Sequence, residues 1–184
     1  GRLSPLVEGK IQAFPFRDWE KEFPIAKSEN FQIMEWTIDQ TNLYQNPLMK
    51  LEGQEKIKGL CKEFSMRIPS ITGDCFMQQP FWKLKKRNQE NLKEDFSNIL
   101  KSCALLGISL VVIPLVDNGR IEKSEQKEIL KDFLMSWNEF LEINDIYIIF
   151  ESDFDPFDLR KFIQEFESER FGINYDTGNS ASYG

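Results

Sequence analysis

Along the chain, short runs of apolar and β-branched residues alternate with longer stretches in which apolar positions recur every three or four residues. The short runs fall at 31–36 (FQIMEW), 66–72 (MRIPSIT), 108–116 (ISLVVIPLV), 145–151 (DIYIIFE) and 171–176 (FGINYD). Most are continuously apolar rather than alternating, the pattern of a parallel strand covered on both faces. Between them the spacing predicts amphipathic helices. Ile57, Leu60, Cys61 and Phe64 share one face, as do Leu92, Phe96, Ile99, Leu100, Cys103 and Leu106. Ile129, Phe133, Trp137, Phe140 and Leu141 predict a third, and Leu159, Phe162, Ile163 and Phe166 a fourth. Asp155 before Pro156 reads as a cap followed by Pro at the first helical position, and Ser124 and Asp18 read as caps of earlier helices.

One helix per interval between strands makes βαβ units and a parallel sheet. The period leaves two architectures open, a doubly wound open sheet and a closed barrel. No GxGxxG or GxxxxGK[ST] follows any strand, which weakens the nucleotide-binding open sheet. With no linker, internal repeat or low-complexity tract, residues 1–184 read as one domain.

Composition narrows the chemistry. Hydrophobic residues make up 41 % of the 184, with sixteen Phe, a globular composition. The net charge of -7 lacks the basic stripe that nucleic acid or an anionic membrane requires, so neither is expected as a partner. The longest apolar run, 110–116, is too short to span a bilayer and contains Pro114. Cys61, Cys75 and Cys103 have no CxxC spacing and sit beside apolar segments, as reduced thiols of a cytoplasmic protein do. GRLSP carries no charged region leading into an apolar one, which agrees with a cytoplasmic location. The chain has no histidine, which removes Ser-His-Asp and Cys-His triads and the HExxH zinc sites from its own repertoire. Chemistry here must run on carboxylates.

Those carboxylates are placed suggestively. Glu35, Asp74, Asp117, Glu151 and Asp176 each fall at or just past the C-terminal end of a predicted strand. In parallel α/β folds that edge holds the active site, because the βα loops converge there. A lone acid after a strand is ordinarily a cap or a solvated loop residue; of five in register, two or three are expected to be functional. Such oxygen donors suit Mg²⁺ or Mn²⁺. An ion of this kind can hold a carbonyl and a neighbouring hydroxyl together while a carboxylate removes the intervening C–H proton.

The segments GRLSP, IQAFPFRDWEKEF, FQIMEWTID, IPSITGDCFM, VVIPLVDNG, IIFESD and FGINYDTGNSASYG, in that order, resemble the xylose-isomerase-like sugar phosphate isomerases and epimerases. The resemblance covers essentially the whole chain and implies an α/β fold of the (β/α)₈ TIM-barrel type with a metal site at its C-terminal face. It places a metal ligand and catalytic base on Glu151 and a second ligand, the Asp of the DTG motif, on Asp176. Arg2 has two readings of equal weight, an anchor for a substrate phosphate or carboxylate and a partner for a structural carboxylate. Glu35 is expected to reach a sugar hydroxyl or to orient neighbouring strand ends. Asp74 and Asp117 are expected to support the site rather than ligate, and Trp36, Phe76 and Trp82 to pack in the core. In the family a histidine from strand seven and an acid from strand eight complete the site. The chain therefore reads as an incomplete barrel, about strands two to six. That implies a fragment or a chain that pairs with another copy as a homo-oligomer, with a weakened metal site and little turnover alone.

The expected reaction is isomerisation or epimerisation of a small sugar, sugar phosphate or polyol by proton abstraction alpha to a carbonyl, with Mn²⁺ or Mg²⁺ as cofactor. A keto-polyol dehydratase needs the same first step, and a non-catalytic barrel remnant is the third reading. An apurinic-site endonuclease shares the barrel, but it relies on a zinc cluster of several histidines and has DTGH where this chain has Asp176-Thr177-Gly178-Asn179. It is disfavoured here.

Overall fold

The computed structural model describes residues 2–10, 13–85 and 89–176. Its centre is a parallel sheet of β1 (Ile33–Thr37), β2 (Arg67–Thr72), β3 (Leu110–Leu115), β4 (Tyr147–Ser152) and β5 (Phe171–Ile173). The spatial order is β1-β2-β3-β4-β5, every pair parallel. A doubly wound sheet reverses its order at a switch point. Here each strand is added on the same side as the last, which is how a barrel grows, and the open choice between architectures resolves to a partial (β/α) barrel of five strands.

The helices are α1 (Trp19–Ser28), α2 (Leu51–Phe64), α3 (Asp74–Gln78), α4 (Glu90–Leu106), α5 (Ser124–Met135), α6 (Asn138–Ile143) and α7 (Pro156–Gln164). One face of the sheet packs against them through Trp36, Ile71, Val111, Ile113, Leu115, Ile148, Phe150 and Phe171, all buried. Aromatic rings bind the layers. Phe150 of β4 lies 5.1 Å from Phe162 of α7, and Phe166 stacks 4.2 Å from Phe171 of β5. Phe96 of α4 meets Phe133 of α5 edge-on at 5.2 Å. Trp36, Phe76 and Trp82 are core residues, as expected.

Three local expectations are corrected. The stripe from Ile129 to Leu141 belongs to two helices, because the chain breaks between Met135 and Asn138. Ser136 donates its hydroxyl to the Phe133 carbonyl at 2.6 Å, and Trp137 N–H bonds Leu134 O at 3.0 Å in a tightened turn. Both interactions compete with the α-helical ladder. Ser124 is the first residue of α5 rather than its cap, a position held by Lys123. Asp155 caps α7 as expected, accepting from Phe157 N–H at 2.9 Å. Asp18 precedes α1 without a capping bond and pairs instead with Lys21 at 2.6 Å.

Candidate active site at the strand ends

Strand register decides which side chains share a level. Glu35 pairs with Ser70, Ser70 with Leu110, and Leu110 with Tyr147. Two residues further along, Thr37, Thr72, Val112 and Ile149 align, with Gly172 of β5. Because side chains in a strand alternate, all of these point away from the helices. The next level carries Pro114 beside Glu151. Extending the pairing by two residues brings Asp39, Asp74 and Asn174 to that same level. The backbone supports the extension: Ile38 N–H bonds Thr72 O at 3.0 Å, Gly73 N–H bonds Val112 O at 3.0 Å, and Asn174 N–H bonds Phe150 O at 2.9 Å. The C-terminal edge thus bears a row of acids, Glu151 in β4 and Asp39 and Asp74 two residues past β1 and β2.

Electrostatics register the crowding. Asp74 is 5 % exposed. Burial first, then the negative charges of Asp39, Glu151 and Glu35, raise its carboxyl from 3.8 to about 7. Asp39 accepts from Phe14 N–H and from Gln78 Nε2, both at 2.8 Å, so both its oxygens are engaged. Gln78 in turn accepts from Gln40 N–H at 2.8 Å. These bonds tie the N-terminal segment and the end of α3 to the chain just past β1.

The predicted residues are distributed as follows. Glu151 is half-buried at the end of β4, the strand between β3 and edge strand β5, on the face away from the helices. Two residues on, Arg120 pairs with Asp153 as an ion pair rather than through an aligned N–H···O bond, which joins the loops after β3 and β4. Asp176 is exposed and lies three residues past the end of β5, which stops at Ile173 rather than at the aspartate. The rest of the DTGNSASYG segment, 177–184, lies outside the described residues. Glu35 sits inside β1, two levels below the row of acids, and accepts from Ser70 Oγ at 2.8 Å. Asp39, not Glu35, is the acid just past the end of that strand. Asp117 is exposed in a 3₁₀ turn at φ 47°, outside the row. Arg2 and Glu35 line one small cavity of about 70 Å³. Within it Arg2 donates to Ala13 O at 2.5 Å, and its Nε lies 3.8 Å from Glu22.

Asp39 is not singled out by the sequence, and Asp74 stands in it only as an expected supporting residue. The available signal was register: each lies two residues beyond a threonine, Thr37 or Thr72, that pairs across the sheet.

Hard oxygen donors gathered where carboxylates already repel one another suit a divalent cation, which relieves that repulsion. Among the described residues, no three acidic, cysteine or histidine side chains already converge as a ligand set. The acids of the row are near one another but not drawn to a common point.

No curated protein sequence matches the chain. Solved structures do. A D-tagatose 3-epimerase-like protein superposes with a TM-score of 0.71 at 16 % identity, over 92 % of this chain and 65 % of its own. The 3-keto-D-glucoside 4-epimerase of E. coli gives 0.63 at 16 %, over 87 % and 63 %. A xylose isomerase-like TIM barrel protein from Mycobacterium smegmatis, in complex with magnesium, gives 0.62 at 15 %, over 94 % and 60 %. The chain therefore spans less than two thirds of the length of these structures, and at such identities the likeness is one of fold. The family model for the xylose isomerase-like TIM barrel matches residues 23–184, and the chain belongs to that family.

Proposed function

We propose that the whole protein is a metal-dependent isomerase or epimerase of a small sugar, sugar phosphate or related polyol. The observation that carries this reading is the position of Glu151: the end of strand β4, facing away from the helices and close enough to Asp74 to raise its carboxyl. Glu151 is the general base that removes the proton from the carbon beside the substrate carbonyl. Glu151 and Asp176 would hold Mn²⁺ or Mg²⁺, and a bound ion supplies Lewis acidity that makes that proton easier to remove. Asp74, with its carboxyl raised to about 7, is only partly charged near neutral pH and keeps the total negative charge around Glu151 down. Glu35 and Arg2 are the proposed contacts to substrate polar groups. Arg2 has to exchange its bonds to the Ala13 and Lys10 carbonyls to serve as one.

Proton abstraction is visible without knowing the product. Incubation with Mn²⁺ and a ketose in D₂O, followed by proton NMR, is expected to show deuterium washed in at the carbon next to the carbonyl. Glu151→Gln is expected to abolish the exchange. Exchange that persists undiminished in that variant rules out Glu151 as the base. A dehydratase shares the abstraction and is separated by its product, which has lost water.

A further inference from the structure

Beside the row of acids lies a cleft of about 550 Å³, walled by the N-terminal segment and by the loops that follow β1 and β2. Phe14 and Phe16, edge to face at 5.0 Å, form its apolar side. Asp39, Asp74 and Gln78 form the polar side, where the cleft meets the strand ends. Asp39 and Gln78 are held by the bonds already described. Asp74 is different. It is nineteen-twentieths buried, it lines the cleft, and no described residue hydrogen-bonds its carboxyl. A buried polar group of this kind ordinarily has a partner, and the side left open to it is the cleft.

The charge of the cleft limits what that partner is. Among the described lining residues Lys10 is the one base, against Glu8, Asp39 and Asp74. Arg2 does not line it, and its guanidinium is turned toward backbone carbonyls and Glu22. A phosphate brought here meets like charge, whereas a hydroxyl meets acceptors. An aromatic wall opposite a few placed polar groups suits a ligand with one C–H face and one hydroxylated face.

We propose that this cleft holds the hydroxylated carbon chain of an uncharged polyol, one hydroxyl on Asp74 and its C–H face on Phe14 and Phe16, and that it discriminates against the phosphorylated counterpart. The proposal rests on the sugar isomerase reading for the carbohydrate nature of the ligand, and it narrows that reading to unphosphorylated substrates.

Calorimetric titration of the purified protein in EDTA, with D-fructose, D-tagatose and D-fructose 6-phosphate as probes, tests it. At least one free ketose is expected to bind about tenfold more tightly than the phosphate. Asp74→Ala and the half-exposed Phe16→Ala are each expected to weaken the free ketose about tenfold. Phe16→Ala keeps the test open if Asp74→Ala fails to fold. Equal or tighter binding of the phosphate overturns the proposal. So does free-ketose affinity unchanged in Phe16→Ala, or no saturable binding of either ketose. The two readings fail separately: solvent exchange by Glu151 with a phosphate-preferring protein sinks only the cleft proposal, and ketose binding without exchange sinks only the catalytic one.

Discussion

Asp74 shows how neighbours set the behaviour of a side chain. Its carboxyl sits at about 7 rather than 3.8, so the folded protein binds that proton more tightly than the unfolded chain does. Stability from this group is therefore full at acidic pH and is lost as pH rises from about 4 through about 7. The loss is on the order of a few kcal/mol at most. Thermal melts in chelator between pH 4 and 8 are expected to show that decline, and Asp74→Asn is expected to remove much of it. Parallel profiles for the two proteins contradict the assignment. The place of Glu151 at the end of a strand was legible in the sequence, since the apolar run YIIF leads into it. Asp39 was not. The strand pattern of β1 ends at Thr37, and only cross-strand register shows that the extended chain carries Asp39 to the level of Glu151.

Elements were legible where local chemistry and period agree. The cap of α7 is an example: Asp155 precedes Pro156, and the capping bond is present at 2.9 Å. Asp155→Ala is expected to cost about 1 kcal/mol, read from a denaturant melt. The break between α5 and α6 was not legible. Trp137 stays on the same side as Phe96 and Phe140, so the apolar period runs on while the hydrogen-bond ladder stops. The loop after β3 depends on close approach instead of pattern. A Cβ on Gly119 would lie 2.4 Å from the Pro114 carbonyl oxygen, and Gly119 O accepts from buried Trp82 Nε1 at 3.2 Å. Gly119→Ala is expected to destabilise the protein by about 1–3 kcal/mol, whereas Gly59→Ala, with open space around it in α2, is expected to be neutral or slightly stabilising.

At the scale of the molecule, strands added in sequence bring loops distant in the chain to one edge. Asp39, Asp74 and Glu151 come from three βα units and share a level because each strand pairs in parallel with the next. The scaffold that holds them is the helix-facing core. Phe150 lies at its middle, fully buried and within 5.1–5.5 Å of Phe162 and Phe166. Phe150→Ala is expected to cost about 3–5 kcal/mol, measured by chemical denaturation. The alternation of strands and helices was legible from period alone, but their sequential order was not, because order depends on which strands pair. Among the described residues β1 and β5 are the sheet edges, with Ile33 and Ile173 about half exposed.

The proposed role of the strand-end carboxylates is to hold a divalent ion, and binding of Mn²⁺ tests it without reference to any substrate. Titration of the protein with Mn²⁺, followed by electron paramagnetic resonance of the free ion, is expected to show one site per chain. That affinity is expected to fall at least about tenfold in Glu151→Gln and in Asp176→Asn, with melting temperatures close to wild type. Mn²⁺ affinity unchanged in both variants contradicts that role for Glu151 and Asp176.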